Sequence, residues 1–449
     1  MREYYWDWTL ATALAWLGLA ANTGALVTRG IAAGRVPYVT MYEYLMAFAW
    51  AARPQESQCV VCHSYAVRRQ WLDIVPKWKA SVHAAQSVGC KDCHGGNPRE
   101  DDFNKAMYGV PGFTARWSKR DLPAMCARCH ADPARMRPYN LATDQYAQYK
   151  QSVHGLRLLQ GGDTNVAACT DCHGVHDIRA PDNPESRVYK TNVPKLCARC
   201  HANKQLMARY GLPSDEYEQY VTSVHGRKLL VEAERAAPSC ADCHGTHGAT
   251  PPGVEQVPAV CGRCHARTQQ DFNAGPHSVA LEATGKPRCV DCHGDHGIKL
   301  PSDAILVGDS RGHCGSCHGR DTTGRKAGAR IRSLLVQEAQ NLGASVHLVN
   351  LAADADMDVS DLRPQLEQAN TALIEGRALQ HSLSVQRVRE KMAAASKIVT
   401  TVNRAARDAL ADSRRRRNII LGGMVGLALG AVVMWLKRRQ LMAQLPPAA

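Results

Sequence analysis

The chain has 449 residues, enough for two or three domains, and a formal net charge of +14 at neutral pH. A charge of this size would ordinarily indicate nucleic acid or an anionic membrane surface as a partner. Only four phenylalanines are present, and runs of alternating apolar residues are scarce. The composition therefore favours short helices and loops over an ordinary apolar core.

The N-terminal segment contains two apolar stretches. Residues 8–27 have the length and apolarity of a membrane helix, and Val36–Ala52 is a shorter second stretch. Between them lie Arg29 and Arg35 with no acidic residue, which favours the cytoplasmic side for the connecting loop. We therefore predict a membrane hairpin at residues 1–52 with both ends outside. The competing interpretation is a single anchor or a cleaved leader.

The next segment is dominated by one motif, Cys-x-x-Cys-His, which occurs nine times and uses all 18 cysteines. Each copy predicts covalent attachment of one haem c, with the cysteines bound to the porphyrin edge and the histidine as proximal iron ligand. A zinc ribbon or disulfide framework would leave the nine histidines unexplained. The copies are Cys59/Cys62/His63, Cys90/Cys93/His94, Cys126/Cys129/His130, Cys169/Cys172/His173, Cys197/Cys200/His201, Cys240/Cys243/His244, Cys261/Cys264/His265, Cys289/Cys292/His293 and Cys314/Cys317/His318.

Residues 53–320 are therefore predicted to be a cytochrome c domain holding nine covalently bound haem c groups. About 29 residues serve each haem, too few for separate apolar cores, so the porphyrins themselves must form the core. The predicted fold class is mainly α and irregular. Haem propionates neutralise much of the basic charge, which removes the case for nucleic acid. Because covalent haem attachment takes place outside the cytoplasmic membrane of prokaryotes, this domain should face the periplasm or the cell exterior.

The motifs form an internal repeat. SVHG at 152–155 recurs at 223–226, and CTDCHGVH at 169–176 recurs as CADCHGTH at 240–247, both displaced by 71 residues. Each repeat holds a leading histidine, a first motif of the form CxDCH, usually a Gly-x-His extension, and a second motif. We number these haem pairs repeats 1 to 4, and the motif at Cys59 stands alone. The leading histidines are His83, His154, His225 and His277; the aspartates of the first motifs are Asp92, Asp171, Asp242 and Asp291.

Ten histidines remain after the nine proximal ones, which predicts mostly bis-histidine iron. His176 follows the proximal His173 too closely to reach the far face of the same haem, so it should ligate a neighbour. Repeat 1 has Asn97 at the Gly-x-His position, which leaves the first haems short of ligands. The C-terminal helices are therefore expected to supply His347 or His381. The distal candidates are His83, His154, His176, His225, His247, His277, His296, His313, His347 and His381.

The C-terminal part contains no cysteine after the last motif. Apolar residues at helical spacing predict an amphipathic helical segment at 325–413. Residues 418–436 are apolar or small and lie between basic clusters, which predicts a C-terminal transmembrane helix with a cytoplasmic tail at 437–449. Gly422, Gly426 and Gly430 form one face of this helix, on which a partner helix could pack closely.

Two stretches resemble known families. Residues 59–94, CVVCHSYAVRRQWLDIVPKWKASVHAAQSVGCKDCH, resemble the opening of the NapC/NirT family of membrane-anchored multihaem quinol dehydrogenases, although Tyr65 stands near the position of that family's methionine. The phrase GRVPYVTMYEYLMAFAW resembles the early part of CcsA/ResC-type cytochrome c assembly proteins. The first resemblance implies a link to membrane quinol.

The sequence thus predicts a multihaem electron-transfer protein of a prokaryotic cytoplasmic membrane. Electrons would pass between the quinol pool, through an integral-membrane quinol-oxidising subunit, and a periplasmic or outer-membrane redox partner. The alternative is a multihaem reductase of nitrite, hydroxylamine or a sulfur oxyanion, which needs one iron with an open position. No catalytic residue is identified by sequence, and no Cys-x-x-Cys-Lys motif is present.

Overall fold

A computed structural model describes residues 57–65, 73–253, 256–310 and 313–443, with five isolated helical positions between residues 21 and 32. The predicted hairpin or leader otherwise lies outside the described residues. Within them the chain is helical and irregular and contains no strand, which confirms the predicted fold class. The chain forms two compact units: one runs to Cys126 and includes Gly174–Arg179, and the other comprises Ala127–His173 and Ala180–Ala449.

The first compact unit is built from short helices joined by hydrogen-bonded turns. Trp78 and Trp117 each donate an indole N–H to a backbone carbonyl, at 3.0 Å to Val88 and 3.1 Å to Cys93. These bonds fix the loops on both sides of the first motif of repeat 1. The helices are α1 (Gln58–Ser64), α2 (Ile74–Lys79), α3 (Val82–Ala85) and α4 (Cys90–His94), followed by a π-helical turn (Asn104–Tyr108) and by α5 (Leu122–His130), which continues into the second unit.

The second compact unit contains most of repeats 2 to 4, again as short helices. Most motif cysteines lie in helices of five to nine residues or in a 3-10 turn, and Cys264 and Cys317 follow just after such an element, so little regular structure separates successive motifs. The helices are α6 (Pro133–Met136), α7 (Gln145–Gln151), α8 (Val153–Leu159), α9 (Cys169–His173), α10 (Val193–His201), α11 (Lys204–Ala208), α12 (Glu216–Thr222), α13 (Val224–Leu230), α14 (Cys240–His244), α15 (Val257–Gly262), α16 (Ala266–Asn273), α17 (Pro276–Thr284) and α18 (Cys289–His293), with 3-10 turns at Arg137–Tyr139, Asp303–Leu306 and Cys314–Ser316.

The sequence repeat is also a structural repeat, seen best where α12 meets α13. Ser223 caps α13: its Oγ accepts from the Gly226 N–H at 2.9 Å. The Tyr220 hydroxyl donates to the Pro238 carbonyl at 2.8 Å, and Leu229 is fully buried beside it. Every one of these features recurs in repeat 2. The equivalent residues there are Ser152, Gly155, Tyr149, Ala167 and Leu158.

Three long helices follow the last motif and pack together as a bundle: α19 (Thr323–Asp354), α20 (Leu362–Leu379) and α21 (Val385–Ala443). A 3-10 turn, Gln380–Ser382, joins α20 to α21. The buried side chains recur at the spacing of one helix face, so this cysteine-free segment has an apolar core of its own. Its buried core includes Ile331, Leu335, Val349, Leu366, Leu373, Val388, Met392, Val399 and Val402.

Helix α21 continues without a break from the bundle into the predicted membrane span. The Ser413 hydroxyl donates to the Ala355 carbonyl at the end of α19, at 3.2 Å. From residue 414 to residue 440 every position is exposed. This stretch includes an 18-residue window with a mean hydropathy of 2.3, so α21 is long and apolar enough to cross a membrane.

The core of the bundle contains a buried carboxylate, and its burial leads to a testable prediction about stability. Glu338 is buried; its Oε2 accepts from Asn341 at 3.4 Å, and the Ser396 side chain also interacts with the carboxylate. Burial raises the pKa of Glu338, so the folded bundle loses stability as pH rises above the carboxyl's ordinary pKa. We expect Glu338→Gln to stabilise the protein by about 1 kcal/mol at neutral pH and to give no gain under acidic conditions.

Thermal unfolding of the full chain, followed by far-UV circular dichroism at several pH values, measures this difference. Glu375→Gln is the matched control, because Glu375 is an exposed carboxylate of the same bundle that pairs with Lys391. An equal pH dependence for the Glu338 variant and the parent would contradict the assignment.

Candidate haem-iron sites

The aspartate of each first motif caps the helix that carries the motif. In every repeat its carboxylate accepts from the backbone N–H of the residue just before the first cysteine, at 2.7 to 2.8 Å. This N-terminal bond fixes the helix that presents both thiols and the proximal histidine. In repeat 4 the Arg288 guanidinium also pairs with Asp291 and lowers the pKa of that carboxyl. The four bonds join Gly89 to Asp92, Ala168 to Asp171, Ser239 to Asp242 and Arg288 to Asp291.

In six of the nine motifs the second cysteine lies nearer the surface than the first. Every first cysteine is half-buried, whereas six of the nine second cysteines are exposed. Of the remaining three, the Cys129 thiol accepts a hydrogen bond from Arg135 Nη1 at 3.2 Å. The exposed second cysteines are Cys62, Cys200, Cys243, Cys264, Cys292 and Cys317, and the half-buried ones are Cys93, Cys129 and Cys172. Thioether formation at each of these individual thiols stays a prediction from the motif.

The leading histidines of repeats 2 to 4 each face the proximal histidine of the second motif in the same repeat. The ring centroids are 6.2 Å apart for His154 and His201. The separation is 6.2 Å for His225 and His265 and 6.0 Å for His277 and His318. In repeat 1, His83 holds the register position of these leading histidines, and His130 holds that of the second-motif histidines.

The Gly-x-His histidines pair differently, because each faces the first motif of the preceding repeat. His247 of repeat 3 lies against His173 of repeat 2, with ring centroids 6.0 Å apart and planes inclined by 9°. His296 of repeat 4 lies against His244 of repeat 3 at 5.9 Å. Two further rings, from His176 and the proximal histidine of repeat 1, are 6.2 Å apart. Consecutive repeats are therefore interlocked.

The pairing between repeats also explains why repeat 1 has Asn97 where the other repeats have the Gly-x-His histidine. Each Gly-x-His histidine faces the first motif of the repeat before it, and repeat 1 is preceded only by the lone motif. The repeat pattern therefore requires no histidine at position 97. The first motif of the last repeat, which has no successor, is in turn left without a Gly-x-His partner. There His293 faces His381, from the turn between α20 and α21, with ring centroids 6.1 Å apart.

The proximal histidine of the lone motif, His63, is half-buried in the last turn of α1. The pKa of Cys59 is lowered mainly by its hydrogen bond to the Cys90 thiol, and the charge of His63 adds to that effect. Burial lowers the pKa of His176, to which the charges of His94 and His63 contribute as well. His63 therefore lies near the thiol of its own motif and near the ring pair of repeat 1. Its predicted role as an iron ligand stays a prediction.

Two other distal candidates take no part in this arrangement. His347 is exposed on α19, because its neighbours Ser345 and Val349 face the bundle core. His313 lies just before the last motif, with its Nδ1 at 3.3 Å from the Ser310 carbonyl. Among the described residues, neither ring is paired with a proximal imidazole.

Backbone hydrogen bonds hold the interlocked repeats together. In repeats 1 to 3, the N–H of the valine before the leading histidine donates to a carbonyl just beyond the following repeat's Gly-x-His segment. Val153 donates to Ala249 at 3.3 Å, and Val224 donates to Ile298 at 2.8 Å. Within the first compact unit, Val82 donates to Ile178 at 2.9 Å. In these three repeats the first residue of the leading helix thus connects the leading histidine to the Gly-x-His segment of the following repeat.

The paired imidazoles fit haem iron. Two histidines on opposite faces of one metal, each with a metal–nitrogen bond of about 2 Å, place their ring centroids roughly 6 Å apart. All seven described pairs have separations of 5.9 to 6.2 Å. Backbone carbonyls also fix the ring orientation: His94 Nδ1 lies 2.8 Å from the Thr114 oxygen, and His381 Nδ1 lies 2.9 Å from the Ala378 oxygen. A proton held on Nδ1 leaves Nε2 available for iron.

Burial favours the neutral, metal-binding form of the distal rings. Desolvation is the main cause that lowers the pKa of five of them, and a low pKa keeps the imidazole unprotonated to more acidic pH. The five are His176, His225, His247, His277 and His381. Among the described residues, no cluster of three or more His, Cys, Asp or Glu side chains is arranged for a bare metal ion.

Thiols of successive motifs lie side by side. The Cys90 thiol is hydrogen-bonded to Cys59, which lowers the pKa of Cys59 and raises that of Cys90. The same contact joins the second motif of one repeat to the first motif of the next at Cys197 with Cys240 and at Cys261 with Cys289. The lone motif therefore contacts repeat 1 in the same way as the second motif of a repeat contacts the repeat that follows.

Two comparisons with family models match this region. Residues 82–202 match a model described as cytochrome c3, and residues 233–270 match one described as a doubled CXXCH motif. Together with the paired imidazoles, these matches define a multihaem c-type cytochrome that carries covalently bound haem c. A protein of this class functions in electron transfer.

Several residues of these sites have no motif of their own in the sequence. Thr114 and Ala378 contribute only backbone carbonyls to histidine rings, which no side-chain pattern reveals. Asp271 is a buried carboxylate that accepts from Arg387 and Arg267 beside His381. No sequence pattern marks Asp271, because its burial follows from tertiary packing.

Proposed function

We propose that the protein is a membrane-anchored cytochrome with nine haems that transfers electrons between the membrane quinol pool and periplasmic or extracellular acceptors. The observation that carries this proposal is the set of seven imidazole pairs at about 6 Å, the spacing expected of bis-histidine iron. Iron with two histidine ligands has no open position for a substrate. Such sites suit electron transfer and not bond chemistry at the metal.

The protein's own residues would hold and tune the cofactors. The motif cysteines would provide the thioether links, and the proximal and distal imidazoles would bind the iron through Nε2. Carbonyls at Thr114 and Ala378 keep a proton on Nδ1. Lysine and arginine side chains would neutralise the propionates. When bound, haem supplies one-electron redox chemistry at potentials set by these ligands and by burial.

The contacts between thiols support transfer in chain order. Second motifs lie against the first motifs of the following repeats, as at Cys197 with Cys240. Within a repeat, Cys243 of the first motif interacts with Cys261 of the second. Successive haems would therefore be neighbours in space, so that an electron entering near one end of the sequence could reach the other by short steps.

The connection to the membrane rests on α21 and on sequence resemblance. The exposed apolar part of α21 would anchor the protein in the cytoplasmic membrane with the haem region outside and the tail after Lys437 in the cytoplasm. Gly422, Gly426 and Gly430 lie along that span and are open to close approach by a helix of an integral-membrane quinol-oxidising subunit. The NapC/NirT-like stretch at residues 59–94 supports quinol as donor.

Three measurements on the full-length protein test the proposal. Intact mass should show nine haems, and the resting spectrum should be low-spin. In membranes that contain the native partner, a reduced quinol should reduce the haems. The alternative function, a reductase of nitrite, hydroxylamine or a sulfur oxyanion, predicts a high-spin resting component and rapid reoxidation of the reduced protein by one of these compounds. That result would replace the electron-transfer proposal.

A further inference from the structure

The last repeat differs from the others in the origin of the histidine that faces the proximal histidine of its first motif. The proximal histidines of the first motifs in repeats 1 to 3 each face a Gly-x-His residue of the next repeat. Repeat 4 has no next repeat. His293 faces His381 instead, at 6.1 Å between ring centroids and with planes inclined by 31°. His381 belongs to the bundle, outside every haem motif.

We propose that the three-helix bundle ends the haem array by supplying His381 as the sixth ligand of the iron bound by His293, and that Asp271 positions it there. The inference rests on the bis-histidine coordination of the proposed function and extends it to a ligand outside the repeats. It also gives the bundle a redox role. The segment that leads into the membrane span would carry an axial ligand of the repeat 4 iron.

The conformation of the turn prepares His381 for this role. The ring is half-buried, and its Nδ1 lies 2.9 Å from the Ala378 carbonyl, which leaves Nε2 as the nitrogen that can bind iron. The next residue, Ser382, is buried and donates its hydroxyl to the Leu379 carbonyl at 2.7 Å. Gly275 lies directly against the backbone, where an added Cβ would come within 3.0 Å of the His381 carbonyl oxygen.

A charged cluster fixes the start of α21 to the haem region beside this turn. Asp271 lies on α16, which follows the second motif of repeat 3, and its side chain is almost fully buried. Its Oδ1 accepts from Arg387 Nη2 at 2.8 Å, and its Oδ2 accepts from Arg267 Nε at 3.0 Å. Arg387 lies in the first turn of α21, just after His381. Asp271 is therefore a positioning residue that acts on the iron through the bundle.

The ligand is tested with His381→Ala in the full-length, haem-loaded protein. We expect one haem of the nine to change from low-spin to high-spin by electron paramagnetic resonance and absorption, and added imidazole to restore the low-spin state. His347→Ala is the matched control, because His347 is an exposed histidine of the same bundle. A His381 variant that remains entirely low-spin would overturn the inference.

The proposed function and this inference can fail separately. If the parent protein already contains a large high-spin fraction, the bis-histidine proposal itself is wrong. If the parent is low-spin and His381→Ala leaves it so, only the role of the bundle is wrong. Intact mass of the variant, with all haems still attached, confirms that the comparison is made on a complete cofactor set.

The positioning role is tested with Asp271→Asn and, in case that variant does not fold, with Arg387→Gln. Each should give a partial high-spin signal from one haem that added imidazole removes, while Asp271→Glu should restore the parent spectrum. Asp303→Asn is the control, because Asp303 pairs with Arg377 of the bundle at 3.3 Å but does not contact the turn. A purely structural ion pair would lower stability in the variants and leave every haem low-spin, which would overturn this part.

Discussion

Replacing His247 with alanine is expected to change the haem held by Cys169 and Cys172 in repeat 2, and not the haem of its own repeat. His247 follows the proximal His244 closely in sequence, but its ring lies 6.0 Å from that of His173 and nearly parallel to it. Loss of the imidazole should leave the iron held by His173 with a single protein ligand. The expected result is a high-spin signal from one haem, reversed by added imidazole.

Two double-variant backgrounds identify which iron responds. When Cys169 and Cys172 are both serine, the haem of His173 is not attached, and His247→Ala should add no further high-spin iron. When Cys240 and Cys243 are serine, the same substitution should still produce the signal. The reverse pattern would mean that His247 serves its own repeat, and the interlocked arrangement would be wrong. His313→Ala, at a histidine that faces no proximal ring in the described part of the chain, is the single-site control.

The haem motifs and the caps of their helices can be predicted from sequence because they depend only on residues that are close together in the chain. Asp171 and its equivalents stand at the third position of a short helix, where a carboxylate can cap the first N–H groups. The serine before each leading valine is a preferred N-cap residue, and it caps as that preference predicts. The register of Cys-x-x-Cys-His already places both thiols and the proximal ring on one turn.

The pairing of histidines between repeats, in contrast, cannot be predicted from the local sequence. The closeness of His176 to His173 in sequence excludes a shared iron, but which neighbour receives the ring depends on tertiary packing, here on the bond from Val82 to the Ile178 carbonyl. For the same reason a count of histidines suggests a shortage around Asn97. The register in the structure shows that Asn97 itself is not the cause, and that the last repeat is the one that has no Gly-x-His partner.

The bundle shows where helical periodicity helps and where it does not. Ser345 and Val349 face the core, so the pattern alone places His347 between them on the outer face. His381 lies in a break between two helices, where no periodicity applies. Its partner is set by Asp271 and Gly275, which come from a distant part of the sequence. A residue whose role depends on such contacts requires the structure.

The first turn of the leading helix α13 contains a glycine whose substitution is expected to have a large effect. Gly226→Ala is expected to destabilise the protein by about 3 kcal/mol or more and to lose the pairing of His225 with His265. The chain enters α13 directly from α12, and the Gly226 Cα faces the Tyr220 peptide. An added Cβ would lie 2.8 Å from the Tyr220 carbonyl carbon and 3.1 Å from the Val221 Cα. These are backbone atoms, so relief requires moving the helix that carries His225.

Repeat 1 shows that the constraint comes from this contact and not from the histidine. Its leading helix has Ala84 at the glycine position, but α3 spans only Val82–Ala85 and follows a different preceding helix. Thermal unfolding and the spin state of the full chain measure the effect of Gly226→Ala. Gly343→Ala is the control: that glycine lies exposed in α19 with no atom within 4 Å of an added Cβ, and alanine there should stabilise the helix by about 0.5 to 1 kcal/mol. If Gly226→Ala kept parental stability and a fully low-spin spectrum, the junction of α12 and α13 would not position the leading histidine.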